Sequence, residues 1–220
     1  KEEQYLKDQS ALDAFLLRVA LQSASVQTGG ERNQLLSGET LSELARKHQL
    51  AESVIHRLSS HMDEEALRAV ADGVRLNLDT VEAARESAQA LQARLLAVGS
   101  QAEVVGEFDV VSDKPVLRIS RKHHGNVRSS VITQDFAHGA DHATLVEAAA
   151  TFEGLVSADA VVMRGEGDKQ KQERVGSFRE AMRWLIQQAE SATARQRYKG
   201  LGEMNPQQLR ETTMDPAKRS

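Results

Sequence analysis

"VVGEFDVVSDKPVLRISRKHHGNVRSSVIT", residues 104–133, is the stretch where the chain changes its period. Val104–Val111, Val116–Ser120 and Val127–Thr133 alternate or cluster β-branched residues, as half-buried strands do. Ser112-Asp113-Lys114-Pro115 and His123-His124-Gly125-Asn126 separate them with turn-forming residues. The pattern predicts a three-stranded antiparallel meander.

Upstream the period is helical. Ser10–Gln22 carries Leu12, Phe15, Leu16, Val19 and Ala20 at spacings of three and four. Ser23–Gly30 reads as a short strand or a loop. Thr40–Met62 is helical again, with Thr40 and Glu43 placed as a capping box. Asp63–Ala71 is a short helix stopped by Asp72-Gly73, and Asp79 is placed to cap a long helix, Thr80–Val98. Downstream, a helix over 141–155 precedes a strand, Asp159–Met163. A Gly165-Glu166-Gly167-Asp168 turn leads to a polar return strand ending near Val175. Ser177 and Glu180 form a second capping box for a helix carrying the lone tryptophan, Trp184. The fold class is therefore α+β: a helical N-terminal half, then an antiparallel meander and a hairpin with packed helices. No internal repeat is visible.

Composition narrows the function classes. In 220 residues, 40% are hydrophobic and 27% charged, which marks a globular chain able to bury a core. A formal charge of −4 argues against a protein that coats nucleic acid. The absence of cysteine excludes disulfides and thiolate-bound metals and fits a reducing, cytoplasmic setting. No apolar run approaches the ~18 residues of a membrane span, so no membrane partner is expected.

Several segments invite chemistry. Thr40–Leu58, "TLSELARKHQLAESVIHRL", has the pattern of a helix-turn-helix, with Ala45 at a helix contact, Leu50 buried in the turn and Ile55 on the inner face. Gln49 stands where the turn would favour glycine, so two simply packed helices are the competing reading. Gly165–Gln170 has the look of an acidic metal motif, but no Asp-x-Asp pair completes it and a strand-to-strand turn accounts for it. His138 and His142 have ligand spacing, yet Gly139 interrupts the helix that would align them. No serine sits in a nucleophile elbow. No catalytic, cofactor-binding or metal-binding residue is therefore assigned.

Arg118, Arg121, Lys122 and Arg128, with His123 and His124, make a basic hairpin with no acid from Leu117 to Gln134. Such a hairpin could lie along a phosphate backbone or could be a solvated tip that discourages edge pairing; both readings stay open.

The C-terminal stretch "RQRYKGLGEMNPQQLRETTMDP", residues 195–216, is the most specified of all. Arg197 and Lys199 flank Tyr198, while Gly200 and Gly202 permit tight bends. Asn205-Pro206 and Asp215-Pro216 each read as a cap followed by the first residue of a helix. Gln196–Arg219 closely resembles the segment that follows the TOPRIM cleavage domain in B subunits of bacterial DNA gyrases and related type IIA topoisomerases. Lys1–Asp8 is similar to the chain leaving that domain upstream. The resemblance implies three parts: a flank, 1–8; an inserted accessory domain, 9–194, with a helical part 9–100 and an α+β part 101–194; and a tail, 195–220.

The resemblance further implies a piece of a larger ATP-driven supercoiling enzyme whose ATP and magnesium sites lie outside this chain. Neither Tyr5 nor Tyr198 matches its DNA-cleaving tyrosine. The implied partners are the TOPRIM domain of the same protein, the gyrase A subunit and double-stranded DNA. Arg197, Tyr198, Lys199, Gly200, Gly202, Glu203 and Asn205 would belong to a strip against the cleavage domain. Arg210 departs from the family, which usually has Trp there. The function expected is non-catalytic bracing and DNA contact; the rival is a stand-alone helix-turn-helix module.

Overall fold

The computed structural model describes residues 2–202, and the chain divides into two compact units. The first comprises 1–42 and 157–220; the second, 43–156, lies between those two segments in sequence. The helical stretch 9–100 thus contributes to both units and contains two strands: one falls within 23–30, left open between strand and loop, and the other, Leu35–Ser37, had not been expected.

The first unit is built on a four-stranded antiparallel sheet. Helix α1 (Glu2–Leu21) leads into β1 (Ala24–Gln27) and β2 (Leu35–Ser37); β6 (Ala160–Arg164) and β7 (Lys171–Val175) return much later, and α7 (Phe178–Gly202) closes it. The strand order is β2-β1-β6-β7, so the central pair joins segments about 140 residues apart. Its register sets Ala24 opposite Arg164 and Val26 opposite Val162. Ala24, Val26, Ala160, Val162 and Val175 are buried, giving the sheet one apolar face. Phe178, Ala181, Met182, Leu185 and Ala189 form a buried stripe along α7, which packs with α1 residues Leu17 and Ala20 to supply the helical layer. The Ser177 cap is made as expected: its Oγ accepts from Glu180 N (3.1 Å), while the Glu180 carboxylate accepts from Gly176 N (2.7 Å). Helix α1 starts well before Ser10, since nothing between Glu2 and Ser10 breaks a helix.

The second unit sets helices against the three-stranded meander. Its elements are the body of α2 (Gly38–Leu58), α3 (Glu64–Ala71), α4 (Val81–Ala97), β3 (Glu103–Asp109), β4 (Lys114–His123), β5 (Asn126–Ile132), α5 (Gln134–Ala137) and α6 (Ala140–Phe152). The meander is antiparallel in the order β3-β4-β5, as its alternation predicts. Ile55, Leu67, Leu78, Leu91, Leu95, Leu117, Ile119, Ile132 and Leu145 form one continuous core. Helix α4 lies across β3 and β4. Gln92 ties it to the sheet, donating to Ala102 O (2.8 Å) and accepting from Val104 N (2.8 Å).

Three expectations need correction. Residues 40–58 do not form a helix-turn-helix: α2 is one uninterrupted helix, and Leu50, expected inside a turn, is 58% exposed. Arg46 to Ala51 contains no Gly or Pro, so nothing in it breaks helical hydrogen bonding. Because α2 begins at Gly38, Thr40 is inside it rather than at its cap. Likewise Thr80, not Asp79, caps α4: its extended backbone lets Oγ1 accept from Ala83 N (3.0 Å).

Gly106 is where helix and sheet touch backbone to backbone. A Cβ there would stand 2.5 Å from the carbonyl carbon and oxygen of Ala84 and 2.6 Å from Arg85 N. Only glycine permits that approach. Gly106→Ala should therefore cost about 1–3 kcal/mol, read as a lower urea midpoint by circular dichroism at unchanged slope. A cost below about 0.5 kcal/mol would contradict the close packing.

Candidate nucleic-acid interface

The β4–β5 hairpin turns through two residues of positive φ, His124 (48°) and Gly125 (84°), between the paired His123 and Asn126. This is the type I′ geometry whose twist matches that of the strands. Core residues on these strands, Leu117, Ile119 and Ile132, lie far from the turn. From Lys122 to Ser129 every residue is exposed, so the tip projects as a two-stranded ribbon.

Register decides how the four expected cations are arranged. Arg121 lies opposite Arg128, and Lys122 opposite Val127. Side chains alternate along a strand, so Arg118 and Lys122 share one face, while Arg121 and Arg128 share the other. The hairpin offers cations on both faces.

Two of the four are already neutralised within the unit. Arg118 Nε donates to Glu107 on the neighbouring strand. Arg121 reaches α3: Nε donates to Asp63 Oδ2 (2.6 Å), Nη2 to Asp63 Oδ1 (3.0 Å) and Glu65 Oε2 (2.8 Å), and Nη1 to Ser100 Oγ (2.9 Å). Asp63 also caps α3 by accepting from Ala66 N (3.0 Å). One carboxylate thus holds a helix start and a strand end. Burial pushes the Asp63 carboxyl up, but the Arg121 hydrogen bonds, the Ala66 amide and the Arg121 charge outweigh it and hold its pKa below the ordinary value. The same hydrogen bonds, opposed by desolvation, raise the Arg121 pKa.

Lys122 and Arg128 have no ion-pair partner among the described residues. With Arg121 committed to carboxylates, Arg128 can sit directly across from it without the full cost of like charges. The rings of His123 and His124 meet edge-on at 4.2 Å between centroids. On the Arg128 face, Ser59–Glu64 and Ile119, Arg121 and Arg128–Ser130 line a recess of about 340 Å³.

The remaining sequence candidates fall elsewhere. His138 turns to Asp79 (3.0 Å), whereas His142 packs edge-on against Phe136, so the two rings serve different partners. Desolvation, with the charges of Arg75 and His138, lowers the His142 pKa. Gly165–Asp168 forms the expected turn between β6 and β7, with positive φ at both glycines. Arg197, Tyr198, Lys199, Gly200 and Gly202 lie on α7, whose backbone stays helical through Gly202 where a bend was expected; their side chains are not among those described. Glu203 and Asn205 lie outside the described residues. Sequence reasoning missed Glu107, Glu65 and Ser100, and it saw Asp63 only as a helix start. An N-cap at Asp63 was readable; its tie to Arg121, 58 residues away, had no local signal.

Comparison with known proteins shows what the chain is similar to. Residues 24–189 match the family model described as the DNA gyrase B subunit insert domain, and residues 190–220 match that of the DNA gyrase B subunit carboxyl terminus. The whole chain aligns at 29% identity with the DNA gyrase B subunit of Caulobacter vibrioides and at 27% with that of Myxococcus xanthus. A 24-residue stretch, 11% of this chain and 4% of the relative, is 88% identical to the DNA gyrase B subunit of Borreliella burgdorferi. The chain spans about a quarter of the length of the full-coverage relatives.

The Asp63–Arg121 tie carries a pH signature. Because the folded pKa of Asp63 is depressed, its contribution is fully present above the ordinary value of 3.8 and is lost as pH falls through the folded value. Asp63→Asn keeps a capping side chain but removes the charge, so its stability should fall less steeply below about pH 4 than that of the unsubstituted chain. At neutral pH, Arg121→Gln should cost about 1–3 kcal/mol by urea unfolding.

Proposed function

Because the chain belongs to the DNA gyrase B subunit insert-domain family, we propose that it is a non-catalytic accessory part of such a protein. It supports ATP-dependent negative supercoiling of DNA in the cytoplasm by bracing its neighbours and touching duplex DNA. Its partners in this reading are the TOPRIM domain of its own protein and the gyrase A subunit. The described residues contain no group of three or more His, Cys, Asp or Glu placed to hold a metal ion. In this reading the ATP and magnesium sites of the whole protein lie outside this chain.

The observation that carries the DNA contact is the projecting β4–β5 ribbon, with Lys122 and Arg128 unpaired on its two faces among the described residues. The major groove of B-DNA admits a two-stranded ribbon. Cations on both faces suit a ribbon with a phosphate backbone on either side better than one lying flat along a single strand. The Asp63–Arg121 tie holds the base of the ribbon, which lowers the ordering cost of contact at its tip.

The test uses a complete gyrase carrying this chain, with its A and B subunits assembled. Replacing residues 9–194 by a short linker should abolish or sharply reduce supercoiling of a relaxed plasmid, while ATP turnover by the isolated B protein persists. Lys122→Gln with Arg128→Gln should weaken plasmid binding about tenfold near physiological salt and lower the log–log salt slope by about 2. Unchanged binding and slope would remove the ribbon from the DNA contact, and unchanged supercoiling after deletion would remove the bracing role.

A further inference from the structure

The first unit holds a second basic feature, unrelated to the hairpin. Where β6 ends and β7 begins, a recess of about 410 Å³ opens between the strand ends, the Gln22–Ser23 turn and one face of α7. Arg164, Lys169, Lys171 and Arg195 line it, together with Ser23 and Gln188. Antiparallel register sets Arg164 directly opposite Lys171. Gln188, Ser191 and Arg195 follow one another along a single helical face.

Four cations crowding one recess should repel, and directly opposed like charges destabilise a sheet. In the second unit, Arg57, Arg68, Arg94, Arg118 and Arg121 each meet a carboxylate within 4.0 Å. Here none of the four lining cations does, among the described residues. At the rim, Ser23 Oγ donates to the Glu166 carboxylate (Oε1, 3.5 Å). Arg164 adds an independent sign: its Nη2 donates to Val19 O (3.2 Å), but its Nε is shielded from solvent with no hydrogen-bond partner. A shielded guanidinium N–H without an acceptor is costly in a native fold.

The geometry points to a phosphate-binding site in this recess, with Arg164, Lys169, Lys171 and Arg195 as its charged donors and Gln188 as a neutral one. The donors arrive from two directions: the β6–β7 end and α7. Such a spread suits the several oxygens of a tetrahedral phosphate better than a planar carboxylate. The phosphate could be carried by a DNA backbone or by a free phosphate-bearing molecule. The inference does not depend on the role of the hairpin.

Backbone amide NMR of the 220-residue chain, titrated with inorganic phosphate against a chloride control at equal ionic strength, tests it. Saturable shifts are expected at Ser23, at 164–171 and at 188–195. Lys169→Gln and Lys171→Gln alter exposed side chains, so the fold should tolerate both, and together they should weaken phosphate binding about tenfold. Arg164→Gln should do the same if the variant retains its circular dichroism spectrum. A duplex of about 20 base pairs that displaces phosphate from these residues would identify a DNA backbone as the source; retention of phosphate would identify a free phosphate group. Shifts absent with both probes, or binding unchanged by the double lysine substitution, would overturn the assignment.

Discussion

The antiparallel pairing of β1 with β6 is the constraint on which the architecture hangs. It joins residues 24–27 to 161–164 and makes the centre of a sheet whose outer strands each pair with only one of them. Closing so long a span costs configurational entropy, though the cost grows only slowly with length. Burial of Val26 and Val162 side by side, under the apolar stripe of α7, is what offsets it. Once that pair forms, residues 43–156 are obliged to leave and return within a short distance, and they do so as a unit with a core of their own.

Electrostatics divides along the same line as the fold. In the second unit, cations are spent internally: Arg121 fastens a strand to the start of α3, Arg68 bridges Glu52 and Glu64, and Arg57 meets Asp141. Exposed pairs of this kind contribute little alone. The Asp63 pair differs because the carboxylate side chain is only 10% exposed and also serves as a helix cap. Partnering these residues leaves a small exposed charge at the hairpin tip. The first unit does the opposite at the β6–β7 end, where four cations converge without an ion-pair partner among the described residues. A modestly acidic chain can therefore carry local cationic sites that its total charge conceals.

Much of this was legible in the residues. The two-residue period of 104–133, broken at His123–Asn126, foretold the meander almost to its ends, because alternation is dictated by which side chains meet a core one strand away. Ser177 with Glu180, and Asp63 before α3, were readable for the same reason: caps act over three residues. Where local signals competed, reading failed. Thr40 and Glu43 have the form of a capping box, yet the helix simply begins earlier, and Leu50 needs no turn to explain it. The "RYKGLGEMN" segment identified the family by its own letters, as the match over residues 190–220 shows.

By itself, then, the sequence determined the α+β class, the meander, the starts of α3 and α7 and the kinship with the gyrase B family, all of them matters of spacing within a few residues or of a distinctive string. Only the tertiary structure decided that β1 and β6 are neighbours, that Gly106 admits a helix backbone, and that Arg121 is a strut while Arg128 has no such tie among the described residues. It alone set Arg164, Lys171 and Arg195 around one recess. The reason is physical: a charge or a glycine acquires its role from whatever lies within a few ångströms, and those neighbours come from parts of the chain whose approach no local pattern encodes.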